Sequence, residues 1–170
     1  MAENPDRFAR VVVGNTGLPT GEGPISEAFL NWQEFSQTTP VFDVSFLINS
    51  ATTTELTEAE LAAYDAPFPD DTYKEGARIF PALVPTSPDD PAAPANQAAW
   101  EVLKQWEKPF LTCSSDGDPV TAGGAEGFKK LVPGAAGQPH VIVEGANHFF
   151  QEDAGPQLAQ IIIDAISADT

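Results

Sequence analysis

Two residues suited to acid–base chemistry each follow a short apolar run in the sequence. His148 comes shortly after residues 141–143, and its imidazole can titrate near neutral pH and act as a general base. Asp118 follows the apolar run 110–113, within the sequence Asp-Gly-Asp-Pro. If both runs are parallel strands of one open sheet, the loops after their carboxyl ends meet at one edge. A carboxylate there can hold an imidazole in one tautomer and stabilise its protonated form.

The segment between these two residues supports the pairing. Residues 124–131 are predicted to form a helix, which gives the order strand, acid, helix, strand, histidine. That order is the back half of the α/β-hydrolase fold, in which the acid precedes the histidine along the chain. Asp118 is the better acid, because Asp116 is placed to shape the turn. Two alternatives remain. The sequence Asp-Gly-Asp-Pro could serve only to form a turn, and His148 could be a residue at the start of a helix that only hydrogen-bonds backbone groups.

The elements around this pair divide the chain into three parts. Strands are expected at about 10–15, 109–115 and 140–145, with helices and no strands from Ser26 to Pro109. Ser26 is predicted to cap a helix, Thr57-Glu58-Ala59-Glu60 to form a capping box, and a last helix to carry Trp106 on its apolar face. We therefore predict an α/β fold with a core fragment at 1–23, a helical cap domain at 24–108, and a C-terminal core at 109–170.

Charge and cysteine content exclude several classes of partner. The formal net charge is −17 with a sequence pI near 4.1, which disfavours nucleic acids and anionic membranes as partners. Cys113 is the single cysteine, so an internal disulfide is impossible and a reducing compartment is expected. The first residues lack the basic start and apolar centre of a signal peptide, and we expect a cytoplasmic protein.

Several segments of the sequence resemble those of a known protein family. The chain is similar to the C-terminal part of a haloalkane dehalogenase, an α/β hydrolase with a helical cap. The resemblance rests on segments in the same order along nearly the whole chain: Pro5-Asp6-Arg7-Phe8, Asn15-Thr16-Gly17, Phe29-Leu30-Asn31-Trp32, Ala63-Tyr64-Asp65-Ala66-Pro67-Phe68-Pro69, Tyr73-Lys74-Glu75-Gly76, Phe80-Pro81, Asp116-Gly117-Asp118-Pro119 and His148-Phe149-Phe150-Gln151-Glu152-Asp153. Asn147 departs from the family, which more usually has glycine before the histidine.

The resemblance implies a role for four residues. His148 would activate the water that hydrolyses an alkyl–enzyme ester, and Asp118 would orient it. Trp32 would donate its indole N–H to the departing halide, and Phe29 would wall the pocket. A small haloalkane, a halide ion and water are the implied partners, with no cofactor and no metal.

Other aromatic residues of the predicted cap are assigned to structure. Trp100 and Trp106 are expected to pack, and Tyr64 and Tyr73 are expected to be structural rather than epoxide-activating. Without the resemblance, Trp32 would itself be assigned to the core of the cap.

One part of the family's machinery has no counterpart in these 170 residues. The nucleophile is an aspartate followed directly by a first halide-binding tryptophan, and no Asp-Trp dipeptide occurs in the sequence. We therefore expect an incomplete dehalogenase that is inactive alone, with the far side of the first strand an unpaired edge open to self-association. The alternatives are a remnant or binding module without activity, and a related epoxide or ester hydrolase.

Overall fold

Three parallel strands form the centre of the protein. A computed structural model, which describes residues 1–168, gives β1 as Val11–Gly14, β2 as Phe110–Ser115 and β3 as Val141–Val143. They pair in the order β1-β2-β3, with Val11 opposite Phe110 and Cys113 opposite Val141. Because the strands are parallel, their carboxyl ends lie at one edge, and the loops carrying Asp118 and His148 both leave from there.

Seven α-helices surround the sheet in the described part of the chain. Five lie between β1 and β2, which we call the helical insert: α1 Glu27–Thr38, α2 Val44–Ser50, α3 Glu58–Asp65, α4 Glu75–Ile79 and α5 Ala93–Leu103. The other two are α6, Gly124–Leu131, between β2 and β3, and α7, Phe150–Ser167, after β3. Short 3-10 turns occupy Pro5–Arg7, Asp71–Lys74, Phe80–Leu83 and Pro133–Ala135.

The predicted helix starts are confirmed by side-chain caps. The Ser26 hydroxyl accepts the Phe29 N–H at the start of α1. At α3, Thr57 and Glu60 form the capping box, each side chain accepting the backbone N–H of the other residue. Such caps satisfy amide groups that have no partner within the helix, so these boundaries are encoded locally.

Each face of the sheet has its own apolar core. On one face α5 and α6 cover β2, with a buried cluster of Leu103, Trp106, Phe110, Phe128, Val132 and Ala135. On the other face α7 packs on β2 and β3, and the buried cluster is Leu111, Cys113, Val143, Ala146 and Phe150. Alternate residues of β2 therefore point to opposite cores, as the two-residue period of a strand requires.

Several details of the predicted elements were wrong. Trp106 packs as expected, but it lies beyond the end of α5 at Leu103, so it is not on the face of that helix. The helix α2 was missed, although Asp43 caps it by accepting the Phe46 N–H.

The closing helix also differs from its expected form. It begins at Phe150, and the backbone leaves helical geometry at Ala154 before continuing through Pro156. Leu158 and Ile161 face the core, whereas Ile166 is 54% exposed. The buried face of this helix is therefore narrower than the helical spacing of its apolar residues suggests.

The sheet ends at β1 within the described residues. β1 pairs with β2 on one side and has no strand on the other, as the sequence predicted. Among residues 1–168 no helix has the length and apolarity needed to cross a bilayer.

A histidine side chain supplies one of the acceptors of the central strand. His140 Nδ1 lies 3.1 Å from the Thr112 nitrogen and accepts its N–H, while Nε2 lies 2.9 Å from the Ala135 carbonyl oxygen. These partners require the neutral tautomer with the proton on Nε2. Thr112 is 1% exposed, so its amide has no access to water as a substitute.

We expect His140→Ala to lower the free energy of unfolding by about 1–3 kcal/mol, because it leaves the buried Thr112 N–H without an acceptor. Thr112→Val is the matched control: it removes the hydroxyl 3.0 Å from Nδ1 but keeps the amide and its imidazole acceptor. Urea unfolding followed by circular dichroism measures both. A loss for His140→Ala no larger than that for Thr112→Val would contradict this account.

Candidate active site

The structure brings together the two residues that the sequence paired. Nδ1 of His148 lies 3.0 Å from Oδ1 of Asp118, a distance suited to a charge-assisted contact. The contact does not meet the geometry of a hydrogen bond at Nδ1, although catalytic hydrogen bonds are often poorly aligned in the absence of substrate. No hydrogen bond joins Nε2 to the described residues, and the His148 side chain as a whole is 26% exposed. The ring can therefore take a proton on Nε2 while Nδ1 faces the carboxylate.

Asp118 is buried and its carboxylate is well supplied with donors. Its side chain is 2% exposed, against 26% for His148. Oδ1 accepts the Val120 N–H at 2.8 Å, and Oδ2 accepts the Thr121 hydroxyl. Burial alone would raise the pKa of Asp118, but the contact with His148 and the bonds from Thr121 and Val120 outweigh burial, so the pKa lies below its ordinary value. The carboxylate stays ionised beside the imidazole at neutral pH.

The loops that carry the two residues are joined by backbone contacts. The Gly117 N–H donates to the Ala146 carbonyl at 3.0 Å, and the Gly145 N–H donates to Asp116 Oδ1 at 2.8 Å. A Cβ at position 117 would lie 2.6 Å from the Ala146 oxygen. Glycine at 117 therefore allows the acid loop and the histidine loop to approach, and the Asp116 carboxylate accepts a bond from the histidine loop rather than within its own turn.

Asn15, at the end of β1, ties all three loops together. Its amide nitrogen donates to the carbonyls of Asn147 and His148 at 3.1 and 2.9 Å, and its oxygen accepts the Ser115 N–H at 2.8 Å. The residue has a φ of +39°, a left-handed conformation that asparagine adopts more readily than most residues. One side chain thus fixes the backbone on either side of the histidine. The sequence signal was its place directly after a strand, which we had not assigned to the site.

The two aromatic residues predicted for the pocket lie on α1. Trp32 is half-buried; its ring stacks on Phe35 with centroids 6.0 Å apart and lies at a tilt against Phe42 with centroids 5.9 Å apart. Its indole N–H has no hydrogen-bond acceptor among the described residues and is not buried. Phe29 lines an open cavity of about 550 Å³ together with Val120 and Thr121, the neighbours of Asp118. The lining of that cavity does not include Trp32 or His148.

The remaining tryptophan, tyrosine and cysteine side chains lie outside the acid–histidine pair. The Trp100 indole N–H donates to the Leu18 carbonyl at 2.7 Å, and Trp106 is in the core. Tyr64 contacts Glu152 through its hydroxyl, while Tyr73 is exposed. Cys113 is buried, and burial raises the pKa of its thiol, which makes it a poor nucleophile. Residues 1–168 contain no cluster of three or more His, Cys, Asp or Glu able to hold a metal ion.

Comparison with known proteins gives a consistent result. The chain is 54% identical over 166 residues to a haloalkane dehalogenase of Psychrobacter cryohalolentis, and 49% identical over 162 residues to one of Mycobacterium marinum. The matches cover 98% and 95% of this chain but 55% and 54% of those proteins, so the chain spans about half the length of these relatives. No family model matches the sequence.

A solved structure agrees with these relatives. The tetrameric haloalkane dehalogenase of Paraglaciecola agarilytica superposes with a TM-score of 0.81 at 31% identity, over 93% of this chain and 52% of that one. Together with the parallel sheet and the acid–histidine edge, this match defines a partial α/β-hydrolase fold. Within that class the chain matches haloalkane dehalogenases, over about half of their length.

We expect the stability difference between wild type and Asp118→Asn to depend on pH. Because the folded pKa of Asp118 lies below its unfolded value of about 3.9, the carboxylate contributes stability that is present above that pH and lost as pH falls through the folded pKa. The wild type is therefore expected to exceed the variant near neutral pH and to approach it in acid. Thermal unfolding at a series of pH values measures the difference, and a gap that persists unchanged into acid would contradict the assignment.

Proposed function

We propose that this chain carries the water-activating and halide-binding parts of a haloalkane dehalogenase. The reaction replaces a carbon–halogen bond with a carbon–oxygen bond in two steps. A carboxylate attacks the carbon, the bond to halogen breaks, and the halide leaves with the electron pair. Water then attacks the carbonyl carbon of the resulting ester, and the alcohol departs. The proposal assigns the second step to His148 and Asp118.

The contact between Asp118 and His148 carries this proposal. With Nδ1 held towards a buried carboxylate, Nε2 is left free to take the proton of the attacking water. Asp118 would then stabilise the imidazolium that forms. Identity of 54% to a haloalkane dehalogenase supports carbon–halogen cleavage over the other reactions of this fold.

Trp32 is the proposed donor to the departing halide. An indole N–H is a donor without an acceptor, and that of Trp32 has no protein partner among the described residues. Phe35 and Phe42 surround the ring with apolar surface, which suits a weakly hydrated anion. Phe29, three residues earlier on α1, is the proposed wall of the substrate pocket, and the helical insert is the proposed cap.

The nucleophile is proposed to come from protein that these 170 residues do not include. The sequence has no Asp-Trp dipeptide, and its relatives are nearly twice as long as the matched region. We therefore propose that this chain alone releases no halide from haloalkanes. We also propose a cytoplasmic location and association of the 170-residue chain through the open side of β1.

A chimera tests the reaction directly. This chain would replace the matching segment of the Psychrobacter cryohalolentis relative, with a bromoalkane as substrate. We expect repeated bromide release, and in His148→Gln a single bromide per chain with a mass gain equal to the alkyl group, because the ester forms but is not hydrolysed. Bromide release unaffected by His148→Gln would contradict the proposal.

The chimera also separates the alternative reactions. Tyr73→Phe is the control, since the exposed Tyr73 has no proposed role in dehalogenation. Turnover of an epoxide that is lost in Tyr73→Phe would instead favour an epoxide hydrolase. Release of an acid from an ester, without bromide release, would favour an ester hydrolase.

Bromide binding tests Trp32 in the 170-residue chain itself. We expect bromide to quench tryptophan fluorescence with a saturable component that Trp32→Phe abolishes. Trp100→Phe is the matched control and should keep this component, because the Trp100 N–H already donates to Leu18. Quenching that rises linearly with bromide in all three proteins reflects collisions alone and would contradict a halide site at Trp32.

A further inference from the structure

A turn of the helical insert is hydrogen-bonded to the loop that carries His148. The turn comprises residues 51–54, between α2 and α3, and we call it the docking turn. The Phe149 N–H donates to the Ala51 carbonyl at 3.1 Å, and the Thr53 hydroxyl donates to the Gly145 carbonyl at 2.8 Å. The insert therefore contacts the histidine loop on both sides of His148 in sequence.

Asp153 lies at the centre of these contacts. Its Oδ1 accepts the N–H groups of Thr53 and Thr54 at 2.9 and 2.8 Å, and its Oδ2 accepts the Asn147 N–H at 2.8 Å. One oxygen is thus bonded to the docking turn and the other to the histidine loop. Bonds from N–H groups to an ionised carboxylate are stronger than bonds between neutral groups.

The charge of Asp153 is favoured by its surroundings. Burial would raise the pKa of Asp153, but the N–H groups of Asn147, Thr54 and Thr53 outweigh it and hold the pKa below its ordinary value. The residue also lies in the first turn of α7, where unpaired amides favour a negative charge. The carboxylate is therefore ionised at neutral pH.

The backbone of Asn147 is held on both sides. Asp153 accepts its N–H, while its carbonyl accepts from the Asn15 amide at 3.1 Å and from the Ser115 hydroxyl at 2.8 Å. His148 is the next residue. Because the N–H and the carbonyl of Asn147 are both hydrogen-bonded, the backbone from which the His148 side chain extends towards Asp118 is held in place. Loss of the Asp153 bond would leave the Asn147 N–H without this acceptor and the peptide held only through its carbonyl.

We propose that Asp153 is a positioning residue that locks the Asn147–His148 segment to the docking turn, so that the seating of the helical insert sets the orientation of His148 towards Asp118. This proposal rests on the proposed function, because it assigns Asp153 a role in aligning the same acid–histidine pair. Asp153 contacts neither substrate nor the reacting atoms in this account. Its effect reaches the chemistry through the backbone of Asn147.

The test uses Asp153→Asn in the full 170-residue chain. Asparagine has one acceptor oxygen in place of two, so it can retain the docking turn or the Asn147 N–H but not both. Amide hydrogen exchange and nitrogen NMR of the His148 ring at mildly alkaline pH are the readouts. We expect exchange at Asn147, or at Thr53 and Thr54, to rise roughly tenfold or more. We also expect the population of the Nδ1–H tautomer of His148 to fall.

The matched control is Asp164→Asn on the same helix. Asp164 is exposed, and its carboxylate accepts a hydrogen bond from Gln160 alone among the described residues, so the same change of charge should leave the His148 ring unchanged. If Asp153→Asn speeds amide exchange but leaves the His148 tautomer unchanged, Asp153 only holds the docking turn to the histidine loop and does not orient His148. That result would overturn the proposal. Unchanged exchange in that variant would overturn it as well.

Two further variants keep the outcomes distinguishable. Asp118→Asn should also reduce the Nδ1–H tautomer; if it does not, the proposed Asp118–His148 function fails, whatever Asp153 does. Should Asp153→Asn not fold, Thr53→Ala removes only the hydroxyl bond to the Gly145 carbonyl. We then expect faster exchange at Asn147, and an unchanged rate there would overturn the coupling between turn and loop.

Discussion

The contact between a buried carboxylate and a half-exposed imidazole is the constraint on which the site depends. Asp118 is almost inaccessible to water, whereas His148 keeps one ring nitrogen open to solvent. A buried charge is costly unless it is paired and hydrogen-bonded, and here the imidazole, a hydroxyl and backbone amides all contribute. The two groups therefore differ in environment, and the proposed division of tasks between a permanently charged acid and a proton-accepting histidine rests on this difference.

The order of strands in the parallel sheet makes this contact possible. β2 and β3 are neighbours, so the loops that follow them leave the sheet side by side. The separation of the loops is then fixed by a backbone bond from Gly117 to Ala146 and by the side-chain amide of Asn15, which donates to the Asn147 carbonyl. The helical insert adds a third hold through Asp153. The site is therefore positioned mainly by amides and carbonyls at strand ends.

Sequence reasoning recovered the parts of this arrangement that have local signals. The strands were visible as runs of apolar residues, and α1 and α3 as cap residues at fixed spacing. The pairing of Asp118 with His148 followed from the order of elements, because parallel order determines which loops become neighbours. The predicted roles of Trp32 and Phe29 came from the family resemblance and remain proposals.

The parts that sequence reasoning missed depend on contacts distant in the chain. Asn15 bonds to residues 100 or more positions away, and Asp153 bonds to Thr53 across 100 positions. No local pattern marks such a partner. The helix α2 was missed for a different reason, because its seven residues are too short to show a clear period. Trp106 continued the apolar spacing of α5 past the actual end of the helix.

A double-mutant cycle between Asp118→Asn and His148→Gln tests the central contact most directly. Free energies of unfolding would be measured for the four proteins under one set of conditions near neutral pH. The account predicts a coupling energy of about 0.5–3 kcal/mol, the range for side chains in direct contact. Additive effects of the two substitutions would show that Asp118 and His148 do not interact in solution, and would contradict the account.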